Sequence, residues 1–371
     1  MPKGQPVDAE RWHTWCTKPL VDEPPALTVQ QWKELSPAEL ESHIRWMNRW
    51  LRQIYLETDE LAAVSREMTA IVEDNAFTPP GAKTIIGVTG PYLIGKSTLL
   101  MRWGRSRYNA WTRDADINRF GRPIVHLNEY CEADFCPMVW IDLPNKSTNS
   151  TVDRKILNYC GLPAGPNIDA SSNSANNAIS RHRALAIIFD DVHFLWLNWK
   201  GGRQVLDYIK HKNTEFGQVG ATLILGGTNL EDTELVDDPQ ICGRLQLFTL
   251  APYEVDTVAQ QVAWQRPVKQ IEDMILPHLP AGKPGMLYTQ LAGELWYRSG
   301  GYLGYMTKLV VKATLAATCD GTHRITRKHV DAIELSVGAE QARQDRHSRR
   351  SRDDDPSRRK RRDNNEIQVD T

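Results

Sequence analysis

The stretch KTIIGVTGPYLIGKSTLLMRW, residues 83–103, decides the fold of this chain. A β-branched run, Ile85 to Thr89, meets the spacing Gly90-x-x-x-x-Gly95-Lys96-Ser97 and then an apolar, helix-forming segment. A strand, a glycine-bounded loop and a helix in that order make a phosphate cradle. Backbone N–H groups of the loop and of the first helical turn point at anionic oxygens, where the helix dipole favours negative charge. Gly90, Pro91, Tyr92, Leu93, Ile94, Gly95, Lys96, Ser97 and Thr98 are therefore the expected nucleotide-binding residues. Lys96 adds a point charge between the phosphates and Ser97 a hydroxyl for Mg²⁺. The ligand this implies is a nucleoside triphosphate with Mg²⁺.

Downstream, the run ALAIIFDD at 184–191 reads as a buried strand that carries Asp190 to its C-terminal end, beside the loop. There Asp190 is expected to hold the metal together with Ser97, and Asp191 to orient or polarise an attacking water as a general base. A further buried strand, from Ala221, ends at Thr228 and Asn229, polar groups suited to touch the γ-phosphate or position the water. Asn229 is the first choice and Thr228 the alternative. Arg244, just before the apolar run Leu245 to Leu250, is the candidate arginine finger, reaching the phosphate of a neighbouring subunit.

Around these motifs the 371 residues divide into an N-terminal arm with helices (1–75), a nucleotide-binding α/β core (76–251), a helical segment (252–337) and a charged tail (338–371). Ser36-Pro37-Ala38-Glu39 is a capping box with proline at the first helical position, and opens one or two helices running to about Asn75. Residues 104–123 read as a basic, irregular stretch, and 161–178, rich in Gly, Pro, Ser and Asn, as a loop. Strands at 136–143, 184–191 and 221–229 alternate with helical segments, which predicts a parallel sheet with helices on both faces. After Pro252 the pattern is wholly helical, with segments at 255–265, 268–279, 287–299, 302–317 and 326–336. The tail has almost no apolar residues, and its arginine block at 358–362 predicts disorder.

Composition narrows the function classes. Net charge is −1, charged residues make up 25% and hydrophobic ones 41%, ordinary values for a globular protein. No run of 18 apolar residues exists, so a membrane span is not expected, and no signal-peptide core follows Met1. The six scattered cysteines fit a reducing cytosol, the expected location. His126, Cys131 and Cys136 lack a fourth ligand and a Cys-x-x-Cys step, which argues against zinc.

Taken together, the phosphate loop, the Asp190-Asp191 strand with Val192-His193-Phe194-Leu195 after it, Thr228-Asn229, Arg244 and a helical lid resemble an AAA+ ATPase. Within that superfamily the chain is similar to the TniB-type transposition ATPases, relatives of TnsC, over about residues 30–337. The resemblance implies an α/β P-loop NTPase core with a C-terminal helical lid. It also implies ATP-dependent homo-oligomers on double-stranded DNA, sequence-independent binding, target selection and a DDE-type transposase as partner. Three departures stand out: residues 91–94 are poor in glycine, the second acidic residue is Asp191 rather than glutamate, and no arginine occupies the lid position near Gly304. Arg298 and Lys308 are the nearest substitutes, so hydrolysis is expected to be slow.

Arg102, Arg105, Arg107, Arg113, Arg119 and Arg122 outnumber Asp114 and Asp116 behind the loop helix, and such a segment can neutralise DNA phosphates or simply solvate a loop. Two rival functions share the same nucleotide site. One is a DnaA- or IstB-like initiator or helicase loader, although no helix-turn-helix is evident after residue 300. The other is a regulatory nucleotide switch that binds no DNA.

Overall fold

The computed structural model describes residues 8–143, 149–164, 167–192, 203–336 and 340. In chain order its elements begin with α1 (Ala9–Thr17), α2 (Val29–Glu34), α3 (Pro37–Leu51), α4 (Asp59–Phe77), β1 (Ile85–Thr89), α5 (Lys96–Trp111), β2 (Asp116–Ile117), β3 (Pro123–Asn128), β4 (Cys131–Asp134) and β5 (Met138–Asp142). They continue with α6 (Asn149–Tyr159), α7 (Ile168–Arg181), β6 (Ala186–Asp190), α8 (Arg203–Gly217), β7 (Thr222–Gly226), α9 (Pro239–Cys242), β8 (Leu245–Thr249), α10 (Val258–Ile275), α11 (Ala292–Ser299), α12 (Leu303–Cys319) and α13 (Arg327–Asp331).

These elements form two units: residues 1–19 with 59–251, and residues 20–58 with 252–371. The arm and helices read as one N-terminal segment, 1–75, are thus shared between the units. The first unit is built on a parallel five-stranded sheet of order β5-β6-β7-β1-β8. Strands β1, β6 and β7 are buried at every position, as expected of parallel strands covered on both faces. Register fixes the functional geometry: Asp142 lies opposite Asp190 across β5 and β6, and Val88 opposite Gly226 across β1 and β7. The carboxylates and the phosphate loop therefore emerge at the same end of the sheet. This is the parallel α/β core of a P-loop NTPase anticipated from the sequence.

Two local expectations fail for identifiable reasons. The stretch 104–123 is not irregular: α5 runs on to Trp111 because Trp103, Gly104 and Tyr108 are buried along it. Gly104 lets α1 come close, since a Cβ there would lie 3.1 Å from the Trp12 ring. Residues 116–134 then form an antiparallel sheet, β2-β3-β4, that the polar composition concealed. The segment 161–178 is not a loop throughout: Asn167 caps α7 by accepting the Ala170 N–H at 2.8 Å, and Ala175, Ala178 and Ile179 supply a buried face.

The second unit is helical, with its own core of Trp32, Met47, Trp50, Trp264, Ile271, Leu295, Leu309 and Val310 among others. The two helices expected on either side of Pro267 are one: α10 passes through that proline, which is buried beside Trp264, Val268 and Ile271. Packing of that shared face outweighs the hydrogen bond proline cannot make. Within this unit His43 meets Trp32 edge-on and His323 packs against it at a tilt, with ring centroids 4.8 and 5.0 Å away. His278 lies 4.8 Å from Trp50 and pairs with Glu23 at 2.9 Å. Among the described residues no helix is long and apolar enough to cross a membrane. The tail, except for Glu340, and His193, Phe194 and Leu195 lie outside the described residues.

Candidate functional site

The loop between β1 and α5 is held open by glycines where nothing else fits. Gly90 has φ 143°, and a Cβ there would sit 2.3 Å from the Leu250 carbonyl oxygen. Gly95, at φ 112°, is the N-cap of α5 and offers no side-chain cap, which leaves the first N–H groups of the helix to an anion. Lys96 is buried, and its ammonium donates to the Gly90 and Pro91 carbonyls at 2.8 and 2.9 Å and to the Thr228 hydroxyl at 3.3 Å. Burial lowers its pKa, against the opposing pull of Asp190, Asp191 and Glu231. Thr98, in the first turn, is exposed.

At the end of β6 Asp190 is 1% exposed. One carboxylate oxygen accepts the Asp191 N–H at 3.0 Å, and the Ser97 hydroxyl also bonds the group. The second oxygen is buried without a hydrogen-bond partner among the described residues. Burial pushes its pKa up to about 6, with Asp191 and Asp142 adding repulsion. Gly226 makes the room, because a Cβ at that position would lie 2.9 Å from the carboxylate. A hydroxyl and an orphaned carboxylate oxygen on one spot are the donor set a Mg²⁺ ion accepts alongside phosphate and water. The residues present therefore fit Mg²⁺, with Ser97 and Asp190 as its protein contacts. Among the described residues no three His, Cys, Asp or Glu side chains converge in a way that would hold a metal by themselves, His126, Cys131 and Cys136 included.

Asp191 follows in left-handed conformation, φ 56°, which turns its half-buried side chain out of the strand direction. After β7, Thr228 is the residue that reaches Lys96, whereas Asn229, also left-handed at φ 50°, is exposed and opens the 3-10 turn Leu230–Asp232. The structure therefore brings Lys96, Ser97, Asp190, Asp191 and Thr228 together and leaves Asn229 on the rim. Arg244 is elsewhere. It is exposed, and its carbonyl accepts the Ile85 N–H at 2.8 Å, which puts it at the start of β1 and β8, a strand length from its own phosphate loop.

Two carboxylates were not legible beforehand. Glu231 accepts a short hydrogen bond from the Thr89 hydroxyl, which in turn takes the Leu230 N–H at 2.9 Å. This ties the end of β1 to the turn after β7. Asp142 closes β5 with its pKa raised by burial and then by Asp191. The signal for Asp142 was a polar residue ending a buried strand; Glu231 gave none.

Other candidates are spent on structure. Arg298 is 1% exposed and donates to the Val330 carbonyl at 2.6 Å and to Ile333 O, holding the end of α13. Lys308 is exposed. In the basic stretch Arg105 donates to the carbonyls of Cys16 and Lys18 and lies over Trp15, Arg122 pairs with Asp134 at 3.2 Å, and Arg119 covers the Phe120 ring.

No family model matches the chain, and no curated protein does either. Among solved structures it is similar to the Cdc6p protein of Pyrobaculum aerophilum, at 11% identity and TM-score 0.49, covering 77% of this chain and 71% of that one. It is also similar to the ORC2 protein of Aeropyrum pernix, at 12% identity and TM-score 0.45, covering 75% and 67%. AMPPCP-bound DnaA from Aquifex aeolicus gives 12% identity and TM-score 0.43 over the same shares, 75% and 67%.

Proposed function

We propose that the chain is a Mg²⁺-dependent ATP-binding protein and slow ATPase that assembles with copies of itself on double-stranded DNA. One observation carries the nucleotide reading: Lys96, Ser97 and the orphaned oxygen of Asp190 converge at the end of three adjacent parallel strands, beside an uncapped helix N-terminus. Ser97 and Asp190 would hold Mg²⁺, which would supply electrostatic stabilisation of charge on the phosphates. Lys96 would leave its loop carbonyls for the phosphates, Thr228 would mark that movement, and Asp191 would take the proton of an attacking water.

Slow turnover is supported by two features. Asp191 is one methylene shorter than the glutamate often used as base, and Arg298 is locked on the α13 carbonyls and cannot serve the phosphates. The DNA part rests on the sequence resemblance, which also carries the finer reading of a transposition target-selection factor engaging a DDE transposase. The reading is tested with Mg²⁺-ATP. Wild-type protein should retain duplex DNA on a filter only with nucleotide and less so at high salt, and Lys96→Ala should bind nucleotide more weakly and lose retention. Nucleotide binding without DNA retention would leave the regulatory-switch reading in its place. Dependence on a replicative helicase rather than a transposase would favour an initiator or loader.

A further inference from the structure

We propose that Glu231 is a positioning residue of the nucleotide site: by holding the Thr89 hydroxyl it fixes the turn after β7, so that Thr228 reads the terminal phosphate. The inference rests on the nucleotide reading above and adds to it a residue that acts through others, without touching phosphate or metal.

The relay starts at the surface. Glu231 is exposed as a whole, yet one of its carboxylate oxygens accepts the Thr89 hydroxyl at 2.5 Å. Thr89 is fully buried, as the last residue of β1. Its hydroxyl oxygen accepts the Leu230 N–H at 2.9 Å, and its carbonyl accepts the Leu250 N–H at 2.9 Å. A hydroxyl has a single proton to give. Because Glu231 takes that proton, the lone pairs of Thr89 are left for Leu230, and the negative charge strengthens the whole chain from N–H through hydroxyl to carboxylate. A side chain at 231 without an acceptor would leave the buried hydroxyl proton unmatched and Thr89 free to turn away from Leu230.

Leu230 passes the constraint on. Its N–H belongs to the peptide unit that follows Asn229, so gripping it sets the rotation of that unit. Asn229 is left-handed at φ 50°, a conformation open to asparagine but only one of those it can adopt, and the grip selects it. Packing leaves the choice open: Leu230 is buried, which anchors its side chain but not the direction of its N–H. With Asn229 turned outward, Thr228 faces Lys96, its hydroxyl 3.3 Å from the ammonium. A phosphate oxygen gripped by Lys96 therefore lies within reach of Thr228. Glu231 also pulls on the Lys96 charge through space, but less than Asp190 and Asp191 do, and its direct bond is to Thr89.

The test is discrimination between nucleotides, read by titration calorimetry with Mg²⁺ and either ADP or a non-hydrolysable ATP analogue. Wild type should bind the analogue more tightly than ADP. Glu231→Ala should weaken binding of the analogue about tenfold, the worth of one hydrogen bond, and leave ADP binding unchanged. Glu231→Gln keeps an acceptor for the Thr89 proton and should behave like wild type, whereas a role for charge at Lys96 would make it resemble the alanine variant. Thr228→Val should lose the same discrimination, and adding Glu231→Ala to it should cost nothing more. Equal weakening for both nucleotides in Glu231→Ala, no weakening at all, a glutamine variant as poor as the alanine one, or a further loss in the double variant each overturns the proposal and leaves the nucleotide reading standing. So does a wild type that binds the two nucleotides alike. A wild type that binds neither would instead remove the reading beneath it.

Discussion

Asp190 is the residue whose chemistry can be read most directly. Its pKa is raised from 3.8 to about 6, so the folded protein holds a proton that the unfolded chain releases. The sign follows: this carboxyl favours folding below pH 3.8, and that contribution, about 3 kcal/mol for a shift of this size, is lost as pH rises through 6. Mg²⁺ competes for the same site, so the rise in melting temperature on adding Mg²⁺-nucleotide should fade as pH falls below about 6. Asp190→Asn should melt higher than wild type without ligand at pH 8 and gain little from Mg²⁺-ATP, both seen by scanning fluorimetry. Lys96→Ala should weaken nucleotide binding about 10- to 100-fold, the worth of one or two charge-assisted hydrogen bonds, measured by titration calorimetry. At this scale the sequence was informative where a spacing carries chemistry: Lys96, Ser97 and Asp190 converge as their motifs require. It favoured Asn229 over Thr228, whereas Thr228 is the one that reaches Lys96, because a left-handed turn at Asn229 decides that, and it was silent on Glu231, whose role comes from a hydroxyl across the sheet.

At the scale of elements, the buried strands were legible because parallel strands leave unbroken apolar runs, whereas α7 and the β2-β3-β4 sheet were hidden by polar, half-exposed sequences. Gly90 shows how tightly the loop is joined to its neighbour strand. Gly90→Ala would force a Cβ into the Leu250 carbonyl and should cost about 2–5 kcal/mol in chemical denaturation, with nucleotide binding lost in parallel. A second element-level feature is the ion pair of Lys212 and Asp153, 2.6 Å apart and essentially unexposed, which joins α8 to α6. Lys212 also donates to Ser172 and Asn176 of α7. Lys212→Met should destabilise the protein by about 3–5 kcal/mol by stranding the carboxylate. The double variant Lys212→Met, Asp153→Leu should recover most of that loss.

For the whole molecule, two separate cores imply two unfolding events with different sensitivities. In the helical unit, burial lowers the pKa of His43, with His278 adding repulsion, and burial likewise lowers that of His323. A neutral ring favoured by folding means that unfolding takes up protons, so this unit should lose stability as pH falls below 6.5. The sheet unit should be the one that Mg²⁺-ATP raises. Calorimetric scans at pH 5.5 and 7.5, with and without nucleotide, should show the two transitions moving independently; a single transition responding to both would contradict this.

The chain visits the helical unit early, over residues 20–58, and returns to it only from residue 252 onward. On the ribosome, Trp32, Met47, Trp50 and Leu51 therefore emerge long before Trp264, Ile271 and Leu309, with which they share a core. The entire sheet unit is translated in the interval. A nascent chain of this kind must carry that greasy amino-terminal surface unsheltered, and shielding by chaperones during synthesis follows from connectivity alone.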